Sequence, residues 1–201
     1  MELIEFVEII GTVAFAMSGA LVAINKDLDY YGIVTFAIIT SVGGGIIRDI
    51  LINENLPTAL ANPLYISISI LSAIFVILFY SKMIHLNKVL QVLDALGLSA
   101  FTAIGAGVAP VHNLQMPFVI ITLAVLTGTG GGVLRDVFAK EIPYVFRKEI
   151  YAVASIAGAL VFIPVYNFLG SEPALYASFG TTLALRLISM RYNVHIGSVK
   201  A

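Results

Sequence analysis

The sequence predicts an all-α membrane protein with seven transmembrane helices, arranged as two inverted three-helix repeats followed by a C-terminal helix. Three observations predict this architecture. The chain is 59% hydrophobic and only 11% charged, its charges leave long uncharged stretches, and a glycine-rich motif occurs twice. A soluble domain typically carries about 25% charged residues. The composition therefore indicates a lipid environment for most of the chain.

The positions of the charged residues define the predicted spans. Uncharged stretches of 18, 27, 40 and 22 residues occupy positions 30–47, 55–81, 95–134 and 150–171. A helix needs about 20 apolar residues to cross the hydrocarbon core. Three of the stretches therefore accommodate one span each, and the longest accommodates two, separated by a loop near Pro110 and Pro117. Residues 3–24 and 174–192 supply the first and the last span.

Composition and motifs also exclude several functions. The first span is not expected to be a secretion signal, because its leading residues are acidic where such a signal is basic. The chain has no cysteine, which excludes disulfides and cysteine metal sites. The three histidines, His85, His112 and His195, show no metal-ligand spacing. No hydrolase or phosphate-loop motif is present, and no basic cluster suggests nucleic acid, so we expect neither an enzyme nor a cofactor.

Basic residues near span ends predict the orientation, because their excess remains in the cytoplasm. With seven spans, ten of the eleven basic residues fall on or nearest the side of the C-terminus, including Lys148 and Lys200, and Arg48 alone falls on the other. We therefore expect the N-terminus outside and the C-terminus in the cytoplasm.

The two halves of the chain repeat one another. Residues 40–51 read TSVGGGIIRDIL and residues 127–138 read TGTGGGVLRDVF, 87 positions later. Further matches recur 86 positions apart: Glu8 with Asp94, Gly11 with Gly97, Phe15 with Phe101, Gly19 with Gly105, Pro57 with Pro143, and Tyr65 with Tyr151. Each unit contains three spans, an odd number, so the second copy enters the membrane from the opposite face. The predicted units are residues 1–84, 85–170 and 171–201.

The repeated motif supplies the candidate site. Its residues are Thr40, Gly43, Gly44, Gly45, Arg48 and Asp49 in the first copy and Thr127, Gly130, Gly131, Gly132, Arg135 and Asp136 in the second. Each glycine inside a helix costs about 0.5–1 kcal/mol relative to alanine. The triplets therefore indicate either a break or kink in the second and fifth spans that lines an ion path, or a close approach of two helix backbones. We favour the path.

The Arg–Asp pairs that follow the glycines also have two interpretations. Adjacent residues point in different directions on a helix, so we expect each charge to find a partner on another span or in water. The pairs form either a charged gate at each end of the path or a set of charges that reach the headgroups. The single basic residue of the outer side, Arg48, favours a function at that copy.

Weaker candidates are interpreted structurally. Glu8 and Asp94 lie near the starts of the first and fourth spans, where an acid favours a helix N-terminus. We expect Arg186 to extend towards the cytoplasm. The hydroxyl residues could line a polar path, although such side chains usually bond to their own or a neighbouring helix: Ser18, Thr40, Ser99, Thr102 and Thr127.

The doubled GGGxxRD motif, GGGIIRD at 43–49 and GGGVLRD at 130–136, resembles the prokaryotic branch of the trimeric intracellular cation (TRIC) channels. The same bacterial domain is also labelled a putative glycine transporter. The resemblance covers essentially the whole chain. It implies a homotrimer in a prokaryotic cell membrane, in contact with membrane lipids, with a potassium-favouring path in each protomer lined by the kinked second and fifth helices. The longer basic tail and the lysine motif of the eukaryotic members are missing.

The leading functional hypothesis is accordingly a monovalent cation channel. The alternative is a secondary transporter of glycine or a similar small zwitterion, which would use the same interrupted helices. A purely structural trimer would explain the glycines but not the paired charges.

Overall fold

The structure, a computed structural model, describes residues 3–53, 56–82, 86–147 and 150–192. His85, His195, Lys148, Lys200 and the predicted cytoplasmic tail 193–201 lie outside the described residues. The regular structure within the described ranges is all helical, which confirms the predicted all-α class.

The helices follow the predicted spans closely. They are α1 (Leu3–Asn25), α2 (Tyr30–Leu51), α3 (Thr58–Ala61), α4 (Pro63–Phe79) with a short 3-10 turn (Tyr80–Lys82), α5 (Leu86–Val111), α6 (Pro117–Phe138), α7 (Tyr144–Arg147), α8 (Ile150–Leu169) and α9 (Ser171–Tyr192). Local signals explain the starts of two of them. The Asp29 side chain accepts a hydrogen bond from the Gly32 amide to begin α2, and Pro117, which lacks an N–H, begins α6.

Five of the described helices are long and apolar enough to cross a membrane: α1, α2, α5, α6 and α8. Helix α4 is apolar but has only 17 residues. Helix α9 has 22 residues, yet it is not among the five. Its hydroxyl and charged side chains lower its hydropathy, and several of them, including Ser178, Thr182 and Arg186, face the protein interior. Length and composition together establish an all-helical membrane protein.

The long helices pack as two bundles of three. Helices α1, α2 and α4 contact one another, and so do α5, α6 and α8. The bundles meet where α1 packs on α5 and α2 packs on α6, while α9 packs on α8 and α5. The four-residue helices α3 and α7 each follow the second long helix of a bundle. The contact between α2 and α6 therefore lies between the two halves of the chain.

The protein interior contains mostly small side chains, and many large apolar side chains lie on the surface. The interior is rich in alanine, and its large side chains include Phe15, Phe162 and Tyr151. Many large apolar side chains are exposed instead, among them Leu71 and Leu78 on α4 and Phe168 on α8. Apolar exposure on this scale is unusual for a soluble monomer and suits a surface in contact with lipid.

One exposed ion pair joins loops from the two halves. Lys26, after α1, places its Nζ 2.5 Å from Oε1 of Glu141, after α6. The hydrogen bond from Lys26, together with its charge, lowers the pKa of Glu141 from its ordinary value. The pair therefore stays ionised at neutral pH, although an exposed pair of this kind contributes little to stability.

Candidate functional site

The glycine triplets lie within unbroken helices. Helix α2 is α-helical through Gly43, Gly44 and Gly45, and α6 is α-helical through the equivalent residues 130–132. A break of either helix, one of the two predicted forms, is therefore wrong, and a kink stays a prediction. The glycines provide a close approach instead, because without side chains two helix backbones can touch.

The middle glycines form that contact between α2 and α6. A Cβ atom at Gly44 would lie 3.2 Å from the amide nitrogen of Gly131, and it would meet the Thr127 carbonyl oxygen at still shorter range. A Cβ atom at Gly131 would likewise collide with the carbonyl oxygen of Thr40. Thr40 and Thr127 each donate a hydrogen bond to their own helix, at 2.6 Å. In this conformation, Gly44, Gly131, Thr40 and Thr127 therefore serve helix packing, the second of the two interpretations of the motif.

The first and third glycines of each triplet have different neighbours from the middle glycine. A Cβ atom at Gly130 would lie 3.0 Å from the Cα atom of Gly44, and one at Gly43 would meet the side chain of Leu134. Gly45 is more open, with Nη2 of Arg48 as the nearest atom at 3.8 Å. The third glycine of each triplet thus faces the charges that follow it, and the first two face the other helix.

Four charged or aromatic residues gather beside each third glycine. We define the first cluster as Glu8, Arg48, Asp49 and Tyr65, and the second cluster as Asp94, Arg135, Asp136 and Tyr151. The members correspond at repeat spacings of 86 and 87. They come from α1, α2 and α4 in the first cluster and from α5, α6 and α8 in the second. Each cluster therefore joins all three long helices of its bundle.

The Arg–Asp pairs form ion pairs within their own helix, contrary to the expectation that adjacent residues would not meet, although Arg135 also has the predicted partner on another span. The Arg48 Nε lies 2.7 Å from Oδ1 of Asp49, and the Arg135 Nε lies 2.9 Å from Oδ1 of Asp136. The long arginine side chain curls back along the helix to reach its neighbour. Both arginines are buried, with exposures of 4% and 3%, so they do not extend to the headgroups.

The second oxygen of each aspartate holds the next short helix. Oδ2 of Asp49 accepts a hydrogen bond of 2.8 Å from the backbone N–H of Thr58, the first residue of α3. Oδ2 of Asp136 accepts an equivalent bond of 2.8 Å from Tyr144, the first residue of α7. Both aspartates therefore use both carboxylate oxygens inside the protein.

The acid on the first helix of each bundle has a different partner in the two clusters. Glu8 accepts a hydrogen bond of 2.6 Å from the Tyr65 hydroxyl. Asp94 instead pairs with Nη1 of Arg135 at 2.8 Å, and the same Nη1 donates to Ser18 of α1 at 2.7 Å. Through these two bonds Arg135, on α6, connects to α5 and α1. Arg48 bonds instead to Asp49 on its own helix.

Buried polar atoms without partners collect around the second cluster. Oδ2 of Asp94, the hydroxyl of Tyr151 and Nε of Arg186 have no hydrogen-bond partner among the described residues. The Tyr151 hydroxyl lies 2.9 Å from where a Cβ atom of Gly132 would be. Unsatisfied buried groups are uncommon in native structures.

The clusters adjoin cavities of different size. A cavity of about 340 Å³ is lined by Leu90, Gln91, Asp94, Arg135 and Tyr144 beside the second cluster. The cavity beside the first cluster measures about 20 Å³, which is enough for roughly one water molecule. Phe15 and Phe101, at equivalent positions of α1 and α5, lie with ring centres 5.4 Å apart. Since Phe101 also lines the smaller cavity, this aromatic pair lies between the two charged regions.

Four residues of these clusters were not included in the predicted site. Glu8 and Asp94 lie inside their helices rather than in the first turn, so their assignment as helix-end acids is wrong. Tyr65 and Tyr151 carried a signal that was available in the sequence, because both recur at the same spacing as the acids. A polar residue that recurs in both copies belongs with the motif even when it lies far from it in sequence.

Arg186 also differs from its prediction. It is 3% exposed, and its guanidinium carbon lies 4.7 Å from the ring centre of Tyr151. Burial against an aromatic face excludes the predicted extension towards the cytoplasm. The hydroxyl residues behave as the structural alternative predicted: Ser99 bonds to its own helix, and Thr102 bonds to Ser155 on α8 at 2.8 Å.

Among the described residues, no group of three or more histidines, cysteines, aspartates or glutamates is arranged to hold a metal ion.

Comparison with known proteins identifies relatives over the whole chain. A family model described as "Glycine transporter" matches twice, at residues 5–81 and 91–167. The inner membrane protein YadS of Escherichia coli K12 is 34% identical over 198 residues, which cover 96% of this chain and 95% of YadS.

Solved structures of similar fold also match almost the whole chain. A crystal structure of a prokaryotic TRIC channel has a TM-score of 0.91 and 38% identity, with 96% of this chain and 98% of that chain covered. A TRIC trimeric intracellular cation channel orthologue from Rhodobacter sphaeroides has a TM-score of 0.91 and 32% identity, with coverages of 96% and 100%.

Proposed function

The chain belongs to the membrane-protein family that the glycine-transporter model describes and that includes the prokaryotic TRIC channels, and from this membership we propose that it is a channel for monovalent cations, with potassium favoured. The observation that carries the proposal is the pair of charged clusters buried inside a membrane-type helix bundle. Ionisable residues are costly at membrane depth, and they mark ion pathways in such proteins. The similar structures are described as cation channels, which supports the same conclusion.

The proposed path runs through each protomer, from one cluster to the other, alongside α2 and α6. Arg48, Gly45, Arg135 and Gly132 line it at the clusters, where the two cavities adjoin them. The other predicted path residues lie in or beside the contact between α2 and α6: Thr40, Gly43, Gly44, Thr127, Gly130 and Gly131. They line the path only when these helices separate, so the conformation described here is a closed one. Asp49 and Asp136, near the ends of α2 and α6, hold the arginines in place through their ion pairs.

The architecture that we propose is seven spans, namely α1, α2, α4, α5, α6, α8 and α9. Residues 1–84 and 85–170 form two inverted repeats, and residues 171–201 add the seventh span and a cytoplasmic tail. Two observations support the duplication. The same family model matches both halves, and left-handed backbone conformations recur at Asp27 and Asn113 and at Asn53 and Lys140, which are 86 and 87 residues apart.

The proposed orientation places the N-terminus outside a prokaryotic cell membrane and the second cluster towards the cytoplasm. The prediction is tested by single cysteines, which the chain otherwise lacks. Cysteine at Asn113 or Glu172, both exposed, should react with an impermeant thiol reagent in intact cells. Cysteine at Lys140, also exposed, should react only after the cells are opened. Labelling of position 140 from outside would contradict the inverted arrangement.

We further propose that the chain assembles as a homotrimer, in line with the trimeric description of the Rhodobacter relative. Crosslinking in mild detergent should give a species of about three times 21.5 kDa. A protein that stays monomeric in several detergents and in native lipid discs is inconsistent with this assembly.

A second candidate function is the transport of glycine or a similar small zwitterion. The observation that favours it is the cavity of about 340 Å³, which presents both a carboxylate (Asp94) and a guanidinium (Arg135). A zwitterion could bind to both of these groups. The Asp94–Arg135 pairing at 2.8 Å weakens this candidate, because each group already neutralises the other.

Purified protein in a planar lipid bilayer distinguishes the two functions. A channel gives discrete openings that carry potassium in preference to chloride, whereas a carrier gives none and shows slow, saturable uptake of labelled glycine into vesicles. Glycine uptake without potassium current would reject the channel.

A further inference from the structure

Arg186 is a buried charge that the duplicated architecture does not account for. It lies on α9, which follows both three-helix bundles, and within the described helices no equivalent arginine packs on the first cluster. The side chain is 3% exposed and rests on the ring of Tyr151 at 4.7 Å. Its Nε has no hydrogen-bond partner among the described residues. A buried arginine of this kind in a membrane protein indicates a function.

Arg186 changes the charge balance between the two ends of the proposed path. Each cluster contains two carboxylates and one arginine, so each has a formal charge of 1 − 2 = −1. Arg186 adds one positive charge beside the second cluster and brings its total to zero. The first cluster keeps its net negative charge. The two ends are therefore similar in residue type but different in potential.

The charge of Arg186 acts close to the larger cavity. The guanidinium packs on the ring of Tyr151, which belongs to the second cluster. The Tyr151 hydroxyl approaches Gly132, where a Cβ atom would also lie within 4 Å of Asp94 and Arg135. Asp94 and Arg135 line the cavity of about 340 Å³. Salt screens buried charges less than exposed ones, so the charge of Arg186 acts on the neighbouring second cluster with little attenuation.

We propose that Arg186 is the residue that makes ion flow through this path direction-dependent, by lowering the cation concentration in the cavity beside the second cluster. The inference rests on the proposed cation-channel function and deepens it. A positive charge at one mouth of a path repels cations from that mouth, whereas a negative charge concentrates them. Cations entering from the first cluster therefore arrive more often than cations entering from the second. With the second cluster towards the cytoplasm, inward current exceeds outward current at equal driving force.

The experiment measures single-channel current in oriented patches from expressing cells, with identical potassium chloride solutions on both sides. The variants are Arg186→Gln, which removes the charge, and Arg186→Lys, which keeps it. Gln91→Glu adds a negative charge to the wall of the same cavity without disturbing the buried arginine. Arg191→Gln is the matched control, because Arg191 is an exposed arginine one and a half turns further along α9.

Wild-type protein, Arg186→Lys and Arg191→Gln should pass more inward than outward current. Arg186→Gln should raise the outward unitary current roughly twofold to fivefold, as expected when one charge at a focusing mouth is removed. Gln91→Glu should likewise raise the outward unitary current relative to the inward current. If Arg186→Gln does not fold, Gln91→Glu and Arg186→Lys still test the mechanism.

Two outcomes separate this inference from the function on which it rests. Wild-type current that is equal in both directions, or unchanged by Arg186→Gln and Gln91→Glu, overturns the role of Arg186 and leaves the channel intact. Absence of potassium current from wild-type protein that is folded and present in the membrane overturns the channel itself.

Discussion

Replacing Gly44 with alanine should destabilise the helix bundle strongly, although the change adds a single methyl group. That methyl group would collide with the carbonyl oxygen of Thr127 on α6, and a backbone atom cannot turn away as a side chain can. The helices must separate instead, at a cost of about 1–3 kcal/mol typical of overpacking. The midpoint of thermal unfolding in detergent measures the effect, and Gly131→Ala should behave alike because it meets the Thr40 carbonyl.

The adjacent glycine supplies the control. A Cβ atom at Gly45 has its nearest neighbour, Nη2 of Arg48, at 3.8 Å, which is an ordinary contact. Alanine also favours a helix by up to about 1 kcal/mol over glycine. Gly45→Ala should therefore leave stability unchanged or raise it. Equal unfolding midpoints for Gly44→Ala and Gly45→Ala would contradict the close approach of α2 and α6. Leucine at Gly44 or Gly131 should impair folding before it impairs transport.

Arg135→Gln should be far more damaging than Arg48→Gln, despite the equivalence of the two positions in the repeat. Arg135 contacts Asp94, Asp136 and Ser18, so its loss strands two buried carboxylates and disconnects three helices. Removing one partner of a buried ion pair typically costs about 3–5 kcal/mol. Arg48 pairs with Asp49 on its own helix, and its loss should affect mainly that end of α2.

A double substitution tests whether stranded carboxylates cause the destabilisation by Arg135→Gln. Adding Asp94→Asn to Arg135→Gln removes one of the stranded charges, so the pair should be less destabilising than the sum of the single changes. The unfolding midpoints of the four proteins form a double-mutant cycle, and contacting residues show coupling of about 0.5–3 kcal/mol. Strict additivity would show that Arg135 acts independently of Asp94.

Much of the fold could be predicted from the sequence because its signals are local. Uncharged stretches of sufficient length located the helices. Of the two prolines that predicted the loop between α5 and α6, Pro117 begins α6 and Pro110 lies inside α5, so the loop is shorter than predicted. The repeat placed Arg48 in correspondence with Arg135 and Asp49 with Asp136, and the two pairs make the same contact between Nε and Oδ1. Such inferences depend on spacing along one chain, which the sequence contains completely.

The errors concern contacts between helices. Whether the triplet at Gly44 interrupts its helix or touches another depends on the presence of Gly131 opposite, and spacing within one copy does not reveal that neighbour. Arg186 presented the same difficulty, because its burial depends on Tyr151 of α8. The Glu8 and Asp94 assignments failed for a different reason. Helix α5 begins at Leu86, nine residues before the uncharged stretch that predicted it, and Glu8 lies in the second turn of α1 although the start of that span was predicted at residue 3.

The bonds from Asp49 and Asp136 to the short helices have a consequence for hydrogen exchange. A helix of four residues is not stable alone in water, so α3 and α7 depend on the carboxylates that accept their first N–H groups. The amide protons of Thr58 and Tyr144 should therefore exchange slowly with deuterium while each Arg–Asp pair is intact, and quickly once it opens. Because the two amides are held by different clusters, one exchange measurement on the whole protein would follow the two clusters separately.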